Sequence, residues 1–445
     1  MIFLQYSFNA TYPLYGTGGF GVFNRAAKLA LIGFAGQVIA YAISVTLARQ
    51  LGVDGFEAYV VATAVFILMV TVAPLGIEKY ALRALPALLD RGDWGLASGL
   101  LHYGLRRTLL TSFVIGLGIG AWAWTVRDFA DATRLAIVVS CISLPAGTLV
   151  FYGVEVLSAF GRETSALLLF RVAVPVMTFA FIAILLLSPV SISGPMAVAC
   201  WGLACAVVLT LMANEVWRAA PPGFFRVPQI AQPSTWRAGA QPFLIYRISL
   251  GLLGQAGVIA LDWLQPSEAV VGAYAAAMGT AGLVAVLASA TNRAYARQLS
   301  ILLEQKDFAT LLNLHRERLY WLLPALAMFL LIAFAFTREL LWLFRPEFVD
   351  EGLVPLRLLS CATAFSVLFA LAPTYLKYRQ RNHATFVTVA CAAATQVILL
   401  LLLVPHYGAV GAAVAFAVSM CGMYAAFVCM AHRELALLKS DRTAS

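Results

Sequence analysis

Apolar residues in this chain come in long unbroken blocks, separated by short segments rich in Lys, Arg, Gly and Pro. The blocks are apolar on every side and lack the polar stripe of a helix at a protein–water boundary. A helix that crosses the hydrocarbon core of a bilayer needs about 20 mainly apolar residues. Twelve segments meet that requirement: 27–47, 57–77, 107–126, 134–158, 164–188, 194–213, 240–262, 268–291, 319–337, 352–376, 384–404 and 408–431. The later pairs are separated by little more than a turn and are expected to form antiparallel hairpins.

Composition narrows the class. Of 445 residues, 62% are hydrophobic and 11% charged. Soluble domains run about 45–50% apolar and about 25% charged. So few charges could not cover a soluble surface without exposing large apolar patches. Disorder, a disulfide scaffold, a coiled coil and a soluble two-domain enzyme are disfavoured, and a polytopic membrane protein remains. The net charge of +9 does not mark a nucleic-acid binder, because the basic residues are not gathered on one segment. They sit in loops at alternate ends of the apolar runs. With the N-terminus in the cytoplasm, cytoplasmic segments hold 22 Lys and Arg and outer loops hold 5. That asymmetry predicts a multi-pass membrane protein with both termini cytoplasmic. Residues 1–24 lack the features of a signal peptide and read as a mobile tail or the product of an upstream start codon. The seven cysteines all fall in apolar runs without C-x-x-C spacing and read as small core residues.

The two halves of the chain resemble each other at an offset of about 215 residues. Gly33-x-x-Gly36-Gln37 recurs as Gly251-x-x-Gly254-Gln255, and Leu88–Trp94 recurs as Leu302–Phe308. Each half holds six spans, so both copies enter the bilayer in the same direction, a parallel repeat about an axis along the membrane normal. The expected fold is all-α and integral to the membrane, with about 12 transmembrane helices in two parallel six-helix repeats around a central cavity. The expected organisation is a cytoplasmic tail at 1–26, a first half at 27–213, a cytoplasmic linker at 214–239, a second half at 240–431 and a cytoplasmic tail at 432–445. Segments 80–106 and 294–318 are expected to lie along the cytoplasmic surface.

No catalytic constellation, Walker A motif or metal-ligand spacing appears, and no outer loop exceeds about 20 residues, the place where a membrane-bound glycan enzyme holds its catalytic groups. Neither an enzyme nor a cofactor or metal site is expected. The informative groups are ionisable side chains inside spans, because a charge at the bilayer centre costs roughly 2.5–3.5 kcal/mol even on the gentlest scale. Arg247 lies about two turns into the seventh span, and the repeat puts Lys28 at nearly the same depth in the first. Two cations flanking one cavity select an anion, and a guanidinium suits phosphate; the alternative is that both snorkel to the headgroups. Arg357, one turn inside the tenth span, reads as an exit-side anion contact or another snorkelling group. Gln37 and Gln255 line the cavity or hydrogen-bond between helices. Glu155 and Arg171 lie at similar depth on adjacent antiparallel helices, which predicts an intramembrane ion pair, either structural or used in ion coupling and gating. Tyr59 and Tyr274 read as anchors at the outer interface.

Several stretches carry a family resemblance: Leu47-Ala48-Arg49-Gln50-Leu51-Gly52 with Glu57-Ala58-Tyr59, Leu82-Arg83-Ala84-Leu85-Pro86 with Leu89-Asp90-Arg91-Gly92-Asp93, and Pro405-His406-Tyr407-Gly408-Ala409-Val410-Gly411-Ala412-Ala413. With twelve spans in two halves, the chain resembles the Wzx-like polysaccharide (lipid-linked oligosaccharide) flippases of the MATE-like MOP superfamily. The resemblance implies export of an undecaprenyl-diphosphate-linked oligosaccharide by alternating access, for cell-surface polysaccharide synthesis. It also implies cavity cations on the diphosphate, proton or sodium coupling, contact with membrane lipids and a possible polysaccharide polymerase partner. Two other readings remain: a drug/cation antiporter of the same superfamily, whose cavity needs acidic groups where only Glu155 lies well within a span, and a membrane-bound glycan transferase or ligase.

Overall fold

The computed structural model describes residues 19–125, 130–189, 191–265, 267–288, 295, 299, 302, 308–379 and 381–443. Every regular element among them is helical: α1 (Gly19–Val72), α2 (Ile77–Asp90), α3 (Trp94–Thr125), α4 (Asp131–Ala159), α5 (Glu163–Leu168), a π turn (Leu169–Ala173), α6 (Val174–Leu187), α7 (Gly194–Ala219), α8 (Pro233–Leu264), α9 (Glu268–Gly282), α10 (Phe308–Ala335), α11 (Thr337–Trp342), α12 (Val349–Leu368), α13 (Leu371–Tyr378) and α14 (Asn382–Thr443).

Ten helical stretches among the described residues are long and apolar enough to cross a membrane, and the stretches within α1 and α14 run to 42 and 54 residues. A straight 54-residue helix would reach about 80 Å, far beyond a bilayer core of about 30 Å. Both long elements are broken. Gly52 (φ 77°) interrupts α1 and Gly408 (φ 50°) interrupts α14, and this left-handed region is open to glycine at little cost. The chain doubles back at each break. A Cβ on Gly411 would lie 2.5 Å from the Leu403 carbonyl oxygen, whereas residues eight apart in one helix are about 12 Å apart. Tyr41 and Phe56, on either side of Gly52, both pack on Phe344, at centroid distances of 5.3 and 6.5 Å. With these two hairpins the ten stretches make the twelve expected crossings.

Two expectations about the segments between spans change. Residues 80–106 do not form one surface stretch: 77–90 form α2, and residues from Trp94 onward begin α3. Helical hydrogen bonding continues through Arg106 and Arg107 because α3 extends beyond the apolar block. Most of the repeat counterpart, 294–318, lies outside the described residues. The linker is also shorter than expected, since α7 runs to Ala219 and α8 begins at Pro233. It is docked rather than loose. Phe224 is fully buried, with its ring 5.7 Å from Phe160. The Ile230 amide donates to the Gly95 carbonyl at 3.0 Å, and buried Trp236 packs on Tyr103 at 5.2 Å.

The main apolar core joins both halves near the two hairpin turns, combining Leu47, Phe56 and Val61 with Tyr274, Phe344 and Phe348. Tyr274 is therefore a core residue, 2% exposed, rather than an interfacial anchor. A second cluster gathers α2, the start of α3, α4 and the linker around Leu85, Leu100, Tyr152 and Phe224.

Candidate functional site: the seam between the halves

Charged side chains join the two halves of the chain near both ends of the seam between them. At the end carrying α2, the turn Pro74-Leu75-Gly76 reverses the chain with positive φ at Leu75 (53°) and Gly76 (76°). Gly76 presses on α8, where a Cβ would lie 2.7 Å from the Leu244 amide nitrogen. This contact sets the first turn of α2 against the middle of α8. Glu78, 1% exposed, then faces Arg247 of the second half, with Nε 3.3 Å from Oε1. Burial pushes the Glu78 carboxyl above the ordinary carboxylate range, against the pull of Arg247. Consecutive helix positions diverge by about 100°, so Lys79 points the other way, and its Nζ donates to Glu155 Oε1 on α4 at 2.6 Å.

Glu155 thus pairs with Lys79 and not with Arg171, as the sequence had suggested. The turn between α4 and α5 matches their depths, but it does not turn the two side chains toward each other. Arg171 sits instead on the π turn, exposed, with its guanidinium 5.8 Å from the Phe170 ring centre. A π turn widens the helix by one residue and recurs at functional positions. It lies directly against α1: a Cβ on Gly36 would overlap the Arg171 carbonyl oxygen. Gln37 follows this contact and is half-buried, as is Gln255 on α8. The backbone of Lys28 lies in α1, and its side chain lies outside the described residues. Arg357 is exposed on α12, donating Nε to Thr337 Oγ1 at 3.3 Å and lying 5.7 Å from the Phe334 ring centre.

The opposite end of the seam, expected to face outward, is closed by two arginines from opposite halves. Arg49 Nε donates to the Leu343 carbonyl at 2.7 Å, and its Nη2 donates to the Trp342 carbonyl at 3.0 Å. The Arg49 guanidinium also covers the Trp342 ring at 4.9 Å. In return, Arg345 Nη1 donates to the Ala48 carbonyl at 3.2 Å, while its other nitrogens hold Glu347. Below this latch, Tyr41 donates to or accepts from Thr280 across the seam at 3.2 Å.

Sequence reasoning missed several of these groups. Lys79 and Glu78 sit next to a predicted span end and read as loop charges. Two further carboxylates, Glu57 and Asp262, are each 7% exposed in the helices near the latch. Asp262, Glu268 and Asp54 are the charged neighbours of Glu57. The stretch Glu57-Ala58-Tyr59, among those that carry the family resemblance, was the available signal for the first of these. Buried Arg318 donates Nη1 and Nη2 to the Leu368 and Val367 carbonyls, both at 2.9 Å, at the break between α12 and α13.

In sequence, no protein-family profile and no curated protein matches the chain. Solved structures do match it over nearly its whole length. One is the inward-facing conformation of a multidrug resistance MATE family transporter of the MOP superfamily, with a TM-score of 0.71, 11% identity, and 96% of this chain and 97% of that one covered. The chain shares the fold of this structure. An outward-facing MATE structure gives a TM-score of 0.65 at 13% identity, covering 95% of this chain and 99% of that one. A MOP superfamily transporter from Pyrococcus furiosus, described as having a binding pocket of reversed polarity, gives 0.64 at 12% identity over 95% and 99%. Of the groups described above, Glu78–Arg247, Tyr41–Thr280 and the Arg49 and Arg345 contacts cross between the two halves.

Proposed function

We propose that the chain is an alternating-access exporter that moves an undecaprenyl-diphosphate-linked oligosaccharide across the cytoplasmic membrane for cell-surface polysaccharide synthesis. The observation that carries this reading is the set of in-span cations that meet neutral protein groups. Arg357 rests on Thr337 and Phe334, and Lys377, at the end of α13, donates to the Tyr246 hydroxyl at 3.2 Å. Cations held this way keep their charge for an anionic cargo. Arg247, Lys28, Gln37 and Gln255 are assigned to the same cargo, and Arg171 with the Lys79–Glu155 pair to gating. The higher likeness to the inward-facing neighbour agrees with a seam latched at the Arg49–Arg345 end. In this reading both termini are cytoplasmic, a proton or sodium gradient drives the cycle, and a polysaccharide polymerase receives the product.

One observation favours a second reading, a drug/cation antiporter. Glu57 and Asp262 are buried carboxylates of the kind that a cation cargo or a coupling ion requires, and neighbouring structures are described as multidrug resistance transporters. The test uses a deletion strain of the source bacterium, complemented with wild type or Arg247→Ala. The export reading expects undecaprenyl-linked oligosaccharide to accumulate on the inner leaflet and surface polymer to fall, with only wild type restoring both. Unchanged lipid and polymer with raised sensitivity to cationic drugs would replace it with the antiporter.

A further inference from the structure

Arg247 and Glu78 come from opposite halves of the chain, and their contact is one-sided. The Nε edge of the guanidinium lies 3.3 Å from Glu78 Oε1, an ion pair without hydrogen-bond geometry, since Arg247 Nε and both Glu78 oxygens are buried with no hydrogen-bond partner among the described residues. The Arg247 side chain keeps 19% of its exposure while that of Glu78 keeps 2%, so the open part of the guanidinium lies on the side away from Glu78. A guanidinium carries five N–H donors in a rigid plane. Charge attraction to Glu78 draws the Nε side toward α2 and turns the opposite edge away from it. That edge matches two oxygens of one phosphate group. The neighbouring charges, Lys79 and Glu155, are occupied with each other at 2.6 Å, so among the described residues of α2 and its neighbours Arg247 presents an open donor edge at this end of the seam.

We propose that Glu78 is the positioning residue of an oxyanion receptor whose donor is Arg247, and that this receptor exists only while the α2–α8 seam is joined. This deepens the export reading and rests on it for the identity of the cargo, whose acidic part is a diphosphate. Parting the halves at α2 removes Glu78 from Arg247 and takes away the support that orients the guanidinium. The grip on the anion is therefore tightest once the α2 end has closed behind it, and weaker while that end is parted. Glu78 also spares the bilayer an unpaired buried cation in the empty protein.

The full chain is reconstituted in phosphatidylcholine nanodiscs and titrated with undecaprenyl diphosphate and, separately, with inorganic diphosphate. Phosphatidylglycerol nanodiscs supply a competing anionic headgroup. Arg247→Ala is expected to lose saturable binding, and Arg247→Lys to retain a weak remnant. Glu78→Gln is expected to weaken binding about tenfold, the effect of about 1.4 kcal/mol. The exchange Glu78→Arg with Arg247→Glu restores an ion pair and the melting temperature but not the affinity. Affinity restored by that exchange, or unchanged in Glu78→Gln, reduces the pair to a structural contact and overturns the proposal. Full displacement by phosphatidylglycerol makes the occupant a bilayer headgroup and overturns the cargo assignment, as does a wild type that binds neither probe. Arg247-dependent binding of inorganic diphosphate without binding of the lipid keeps the receptor and removes the export reading.

Discussion

The latch at the Gly52 end of the seam gives a prediction whose size follows from its geometry. Three guanidinium-to-carbonyl hydrogen bonds cross between the halves there, at 2.7, 3.0 and 3.2 Å. A hydrogen bond with one charged partner contributes about 1.5–3 kcal/mol when buried. Arg49 is exposed, so solvent lowers each to about 1 kcal/mol, and the set to about 2–3 kcal/mol. Removing it in Arg49→Gln with Arg345→Gln should shift the balance between closed and open halves about 30- to 160-fold. Phe56 reports the shift. It is fully buried and packs across the seam on Phe344 and Phe348, at 6.5 and 5.7 Å. In a cysteine-free background, Phe56→Cys should react slowly with an impermeant maleimide while the latch is intact and up to that factor faster without it. Arg134→Gln is the control, because Arg134 pairs with Asp131 three residues away on its own helix. If the double variant labels within about twofold of its parent, the arginines do not hold the seam and the reasoning fails.

Other substitutions test the packing that presents the site. Gly36→Ala drives a methyl into the Arg171 carbonyl and should cost about 1–3 kcal/mol, whereas a methyl on Gly33 meets nothing within 4 Å. Thermal unfolding in detergent should therefore fall for Gly36→Ala and hold or rise for Gly33→Ala. Arg318→Met strands the Leu368 and Val367 carbonyls at the α12–α13 break, at about 1–3 kcal/mol for each group. Arg318→Lys should not rescue it, because an ammonium lacks the fork that reaches both. Phe224→Ala empties a fully buried site in the linker. It should cost about 3–5 kcal/mol and expose residues 220–232 to protease. Glu78 sets a pH dependence. Burial raises its pKa, so between the ordinary carboxylate value and the raised one the folded chain holds a proton that the unfolded chain has lost. Stability should then fall as pH rises through that window, under the field of Arg247, Lys79, Glu155 and Tyr152. Glu78→Gln should flatten that slope in melting curves run across pH, and an unaltered slope would show that another group carries it.

The fold was legible because its dominant signal, apolar block length, is set by bilayer thickness and survives without knowledge of any tertiary contact. The parallel repeat was legible for the same reason, through an even number of spans in each half. The places where the sequence reading slipped are those where helices extend beyond their apolar blocks. The start of α3 at Trp94 is one, and the intrusion of α7 and α8 into the linker is another. Hydropathy measures the membrane and not the hydrogen-bond ladder, which continues into water. The linker's docking was written in Phe224, Ile230 and Trp236, but apolar residues in a short polar segment do not state their partners.

The site was harder to read, and the reason is directional. Depth along a span follows from counting residues, and on depth alone Glu155 belongs beside Arg171. Which side chains meet depends also on azimuth, and the π turn at Leu169–Ala173 rotates the second half of its span by an amount that no hydropathy pattern carries. Lys79 takes Glu155 instead because the Pro74-Leu75-Gly76 turn aims the first turn of α2 back at α4 and α8 together. The same turn places Glu78 against Arg247. One short reversal thus decides the partners of both ion pairs at this end of the seam. The carboxylates of Glu78, Glu57 and Asp262 also change the charge balance that in-span arginines alone suggested. With each acid set against the seam, selectivity for an anionic cargo cannot rest on net charge. On the export reading it rests on which donors keep an open edge when the halves are joined, and among the described residues at the α2 end Arg247 is one such donor.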